Sequence, residues 1–146
     1  MKRIFLALAV LPLMAGCGSE GLAPISGVVT LEGKPLAGAS VHFEPIASGQ
    51  GSEAGIGSYA TTDENGRYEL KTVDEDATGA VVGKHRVKIS IAVADEEDDS
   101  GQTMTDKVPL WYNVKTTLTF DVPEGGTESA DFKLTTKRPE GWQPDY

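Results

Sequence analysis

One cysteine, two histidines and thirteen basic residues against twenty-two acidic ones are all that this 146-residue chain offers to the chemistries that depend on them. A lone cysteine, Cys17, excludes an internal disulfide framework, so the fold must rest on an apolar core. The formal net charge of −9 argues against nucleic acid and against anionic lipid headgroups as partners, and the basic residues are scattered in sequence with no run that overturns the global sign. No apolar run reaches the roughly 20 residues needed to cross a bilayer. Residues 4–16 are free of charge, but Gly18, Ser19 and Glu20 follow too early. Helical periodicity is missing throughout. The 39% of hydrophobic residues supports one modest core, and the length leaves room for one domain.

The N-terminus is organised as a targeting segment. Lys2 and Arg3 precede the charge-free run, which ends in Ala15, Gly16 and Cys17, the three-part layout of a secretory signal. The residues Leu13, Met14, Ala15, Gly16 and Cys17 resemble the lipobox of bacterial lipoproteins, departing at Met14, where Leu is commonest. The resemblance implies cleavage before Cys17 and acylation of its sulfur and new amino group with fatty acids such as palmitate. Several chains are needed physically, because one acyl chain gives only marginal membrane binding. Residues 1–16 are therefore expected to be a lipoprotein signal peptide and residues 17–24 a lipidated N-terminus and short tether. Loss of Lys2 and Arg3 with the signal deepens the negative charge by two. Gly18 is not the aspartate that retains some lipoproteins at the inner membrane, which leans towards the outer membrane.

From residue 25 the chain breaks into short β-branched and aromatic runs separated by Gly, Pro, Asn and Asp. Seven strands are predicted at 25–31, 40–44, 58–61, 67–71, 85–93, 117–122 and 130–135. The fifth is the clearest: Val87, Ile89, Ile91 and Val93 alternate with Arg86, Lys88, Ser90 and Ala92, the period of a strand with one buried face. Leu118, Phe120 and Val122 follow the same rule, as do Phe132 and Leu134. Pro35 in the first connection and Asp63, Glu64, Asn65 and Gly66 in another supply turn chemistry. The expectation is a single all-β domain over residues 25–136, a seven-stranded antiparallel β-sandwich, with a Pro-rich tail at 137–146. Residues 46–57 and 94–107 are expected to be mobile surface loops.

The run GVVTLEGKPLAGASVHFEP at 27–45 and the turn TDENGRYEL at 62–70 resemble the carboxypeptidase-regulatory-like domains of transthyretin-like fold. The run VPLWYNVKTTLTFDVPEGG at 108–126 resembles small exported bacterial lipoproteins built on one such domain. The resemblance implies a transthyretin-like or Ig-like sandwich and an accessory module, and it carries no reaction with it.

Candidate chemistry is sparse. Catalysis on a related fold, in the hydroxyisourate hydrolases, uses histidine and arginine and a terminal Tyr-Arg-Gly-Ser signature, whereas this chain ends Gln143, Pro144, Asp145, Tyr146. His42 and His85 are both expected to be solvated strand residues without the positioned partner that a general base requires. Two acidic stretches invite a calcium reading. The one from Asp63 has Arg67 and Tyr68 where a ligand and a glycine belong. The one from Asp95, carrying Asp95, Glu96, Glu97, Asp98 and Asp99, has Ser100 for glycine and Asp106 for the closing glutamate. Both are expected to be hydrated, with no metal and no cofactor. Trp111, Tyr112 and Trp142 are the candidates for a glycan platform; packing over the sandwich end is the favoured alternative for Trp111 and Tyr112, while Trp142 in the tail stays open to either reading. The function expected from sequence is a non-enzymatic, membrane-anchored cell-envelope lipoprotein held through Cys17. Its β-sandwich would bind an envelope protein or serve a structural role; the alternative is a carbohydrate-binding lipoprotein with a polysaccharide partner.

Overall fold

A computed structural model describes residues 21–47, 55–94 and 104–143. Cys17, the signal segment 1–16 and the acidic run Asp95, Glu96, Glu97, Asp98 and Asp99 lie outside the described residues. The described chain is an all-β sandwich. In chain order its strands are β1 (Leu22–Ala23), β2 (Ser26–Leu31), β3 (Lys34–Pro35), β4 (Ser40–Pro45), β5 (Ser58–Thr61), β6 (Arg67–Glu69), β7 (Lys71–Thr72), β8 (Ala80–Val81), β9 (Gly83–Ser90), β10 (Ala92–Ala94), β11 (Met104–Asp106), β12 (Thr119–Val122) and β13 (Phe132–Leu134), with a 3-10 turn at Leu110–Tyr112. No helix among the described residues is long and apolar enough to cross a membrane.

One sheet runs β12-β9-β4-β5-β7, antiparallel throughout. The other is centred on β2, which carries β13 on one side and β3 and β6 on the other. Strand parity builds the core between them. Val41 and Phe43 from β4 and Val87 and Ile89 from β9 meet Val29, Phe132 and Leu134 from the second sheet, all buried. An aromatic group spans the layers: Phe43 lies 5.6 Å from Phe120 and 6.1 Å from Phe132 by ring centroids, at edge-to-face angles. Tyr68 stacks on Phe132 at 6.4 Å. Such pairs add about 0.5 to 1.5 kcal/mol each beyond the area they bury.

Several expectations are corrected in detail. The sandwich is built from shorter and more numerous strands than seven. The run 67–71 splits at Leu70 into β6 and β7, and 85–93 splits at Ile91 into β9 and β10, because each half pairs with a different partner. The ladder is not wholly antiparallel: β13 pairs parallel with β2, Phe132 opposite Val29. The expected tether 17–24 is too long, since Leu22 and Ala23 pair with Val81 and Ala80 and Ala23 is buried. The expected loop 94–107 is closed at its flanks by the β10–β11 ribbon, with Ala94 opposite Met104.

The turn before β6 is built as its residues require. Asp63 Oδ1 accepts the amides of Asn65 (2.8 Å) and Arg67 (2.9 Å), and Gly66 takes φ +73°, a conformation open to glycine at no steric cost. The candidate calcium ligand Asp63 is therefore committed to its own turn.

Candidate functional site

The sequence candidates Trp111, Tyr112 and Trp142 come together at one end of the sandwich. Pro109 precedes the 3-10 turn, whose backbone closes through Tyr112 N–H to Pro109 O (2.9 Å) and Asn113 N–H to Leu110 O (3.2 Å). Asp106 fixes this segment to the sheet: its Oδ1 accepts the amides of Ile91 (3.0 Å) and Val108 (2.9 Å), and its Oδ2 accepts from the Asn113 side chain. With both oxygens bonded in this way, the residue at the closing position of the second calcium stretch acts as a structural anchor. Thr116 continues the attachment, its hydroxyl donating to Val87 O at 2.8 Å.

The tail folds back onto this platform. Trp142 packs edge-to-face on Trp111 with centroids 5.6 Å apart and planes at 64°, and its Nε1–H donates to Lys115 O at 3.3 Å. Arg138 lies 5.8 Å from the Trp142 ring, within cation–π range. Trp111 and Tyr112 are tilted by 58°, and the Tyr112 hydroxyl accepts the Thr135 amide. All three aromatics are half-buried. Packing accounts for Trp111 and Tyr112, and the crossed planes do not give the three rings one shared coplanar stacking surface. Leu110 and Val114 beside them are exposed.

Sequence reasoning missed the basic residues next to this cluster. Arg86 and Lys88 point outward from β9, and Lys115 arrives from the segment after the 3-10 turn. The three line one groove of about 260 Å³ with Trp142 at its wall. Lys88 Nζ bonds Glu44 Oε1 at 2.6 Å. The outward parity of Arg86 and Lys88 was legible in sequence; the approach of Lys115 was not.

The histidines divide. His42 is exposed, as its position between Val41 and Phe43 requires. His85 corrects the expectation of a solvated residue: it is only 1% exposed and packs 5.8 Å from Phe43. Its parity is that of Val87 and Ile89, so the alternation that named those residues as core also applied to it. Nδ1 lies 3.0 Å from Gly83 O, and Nε2 has no partner among the described residues. Burial holds the imidazole below its usual pKa, opposed by the Gly83 carbonyl and Asp121. A histidine so placed favours the neutral ring in the folded state, so its contribution is complete above the unfolded value of about 6.5 and is lost as pH falls through the lower folded value. The melting temperature should therefore fall from pH 7.5 to 5.0 by more in the wild type than in His85→Met, which keeps an apolar side chain of similar size. Equal falls in the two proteins would remove His85 as the cause.

Among the described residues no group of three or more His, Cys, Asp or Glu is arranged to hold a metal. No curated protein matches the chain. A solved structure, a 9R-lipoxygenase from Cyanothece PCC8801, is similar at 13% identity with a TM-score of 0.37 over 91% of this chain and 18% of that one. This chain thus spans less than a fifth of that protein, and the likeness is too slight to bear on fold or activity. Residues 25–120, more than half of the chain, match the family described as a domain of unknown function, DUF6795, and the protein belongs to that family.

Proposed function

We propose that the protein is an exported lipoprotein, anchored through acylated Cys17, whose sandwich is a non-catalytic binding or structural module of the bacterial cell envelope. The single observation that carries the reading is the charge-free run 4–16 ending at the only cysteine, a few residues before the first strand at Leu22. The four residues between them reach at most about 14 Å when extended, so the domain would sit against its membrane. The finer family resemblance, to carboxypeptidase-regulatory-like domains, supports an accessory role, and Gly18 leans the address towards the outer membrane.

A protein partner has a surface to use. β12 is an edge strand, and the bond from Val87 N–H to Leu118 O sets its pairing phase. That phase turns the peptide groups of Thr119 and Asp121 away from β9, on a side where no strand pairs with them among the described residues, the arrangement that strand addition by a partner uses. Asp121 on this edge also discourages indiscriminate pairing. The burial of His85 supports the non-catalytic reading, because a base sealed in the core does not reach a dissolved substrate.

Cell fractionation tests the anchor. Wild-type protein should sediment with membranes and take up labelled fatty acid, and Cys17→Ser should do neither. A Cys17→Ser protein that stays with membranes, or a wild type that takes up no label, contradicts the reading.

A further inference from the structure

The groove beside Trp142 goes beyond the protein-binding role. In a chain with nine more acidic than basic residues, Arg86, Lys88 and Lys115 converge on one concavity, and no carboxylate lines it among the described residues. Glu44 answers Lys88 from the rim at 2.6 Å. Arg86 has Glu44 as its cross-strand neighbour, yet that carboxylate is engaged by Lys88, and Arg86 forms no ion pair among the described residues. Its exposed guanidinium offers the planar donor fork that a carboxylate accepts in two parallel bonds.

The rest of the lining is neutral and of two kinds. Trp142 supplies an aromatic side chain at the wall, and an indole packs favourably against the polarised C–H groups of a sugar ring. Thr117 and Gln143 supply neutral hydrogen-bonding groups. We propose that this groove binds a carboxylated sugar, one uronic acid unit of a glycan, with its carboxylate on Arg86 and its ring against Trp142. The size of the groove, about 260 Å³, suits a single ring. The overall negative charge disfavours a densely charged polymer such as nucleic acid, whose neighbouring phosphates would meet the acidic surface within the screening length of about 8 Å. An acidic peptide matches the charge but makes no specific use of the indole wall.

The test is NMR titration of the full chain in zwitterionic detergent with glucuronate, galacturonate, glucose, acetate and a short Asp/Glu peptide. Saturable shifts at Arg86, Thr117 and the Trp142 indole are expected with a uronate, at least tenfold tighter than with glucose or acetate, and weakened by added salt. Arg86→Gln should weaken uronate binding at least tenfold at an unchanged melting temperature, since Arg86 is exposed. The proposal is overturned if uronates give no saturable shift, if Arg86→Gln binds them as well as wild type, or if acetate or the acidic peptide binds as tightly.

Discussion

Gly27→Ala should destabilise the protein by about 3 to 5 kcal/mol, a large share of the 5 to 15 kcal/mol that holds a typical domain together. Gly27 is buried in β2, opposite Tyr68 of β6. A Cβ there would lie 2.1 Å from Ala130 O and 2.5 Å from Ala130 C, both backbone atoms that cannot swing aside. To admit it, the chain at Ala130 must move off β2. That movement breaks the bond from Ala130 N–H to Ser26 O (3.0 Å) and strains the Tyr68 hydroxyl, which donates to Ala130 O at 2.6 Å. Each hydrogen bond contributes about 1 kcal/mol net, and an orphaned buried carbonyl costs about 1 to 3 kcal/mol. Burial raises the pKa of the Tyr68 phenol, with Asp131 adding to the shift, so the donor proton stays in place over the working pH range. Denaturant unfolding measures the effect, with Gly125→Ala as the control, because a Cβ at Gly125 meets nothing within 4 Å. A Gly27→Ala protein as stable as that control contradicts the packing of β2 against Ala130.

Gly66→Val should cost about 3 kcal/mol or more, and here two causes are separable. The φ of +73° strains a β-branched residue by about 1 to 3 kcal/mol. Independently, a Cβ would stand 2.4 Å from Val29 O and 3.1 Å from Leu36 N. These atoms bond each other at 3.0 Å, and Val29 N–H bonds Gly66 O at 2.8 Å, so the turn joins β2 to the chain after β3. Asparagine tolerates the left-handed conformation but still carries a Cβ. If the close approach dominates, Gly66→Asn should lose most of what Gly66→Val loses. Recovery of near-wild-type stability in Gly66→Asn would leave strain as the whole effect.

These two glycines show what was legible. Gly66 was readable because its turn is local: Asp63, Asn65 and Gly66 carry the signal within four residues. Gly27 has no positive φ, and its constraint comes from Ala130, about a hundred positions away, so no local pattern marks it. Parity announced the buried faces of β4, β9 and β13, and the same parity pointed His85 inward; the polarity of imidazole outweighed it. The parallel pairing of β13 with β2 and the separate partners of β6 and β7 are long-range choices. They turn on which edge is free after the other strands have paired, a property of the assembled sheets. The basic groove was hidden in the same way, since Lys115 lies 27 residues beyond Lys88 and is brought to it by the anchoring of the 3-10 segment through Asp106 and Thr116.

The central claim is that this sandwich is held at a membrane by a lipid on Cys17, and intact mass spectrometry of the protein purified from membranes tests it most directly. The account predicts a mature chain beginning at Cys17, heavier than its amino-acid mass by the mass of several covalently attached fatty-acyl chains. A protein that begins at Met1, or at Cys17 without added lipid mass, would contradict it.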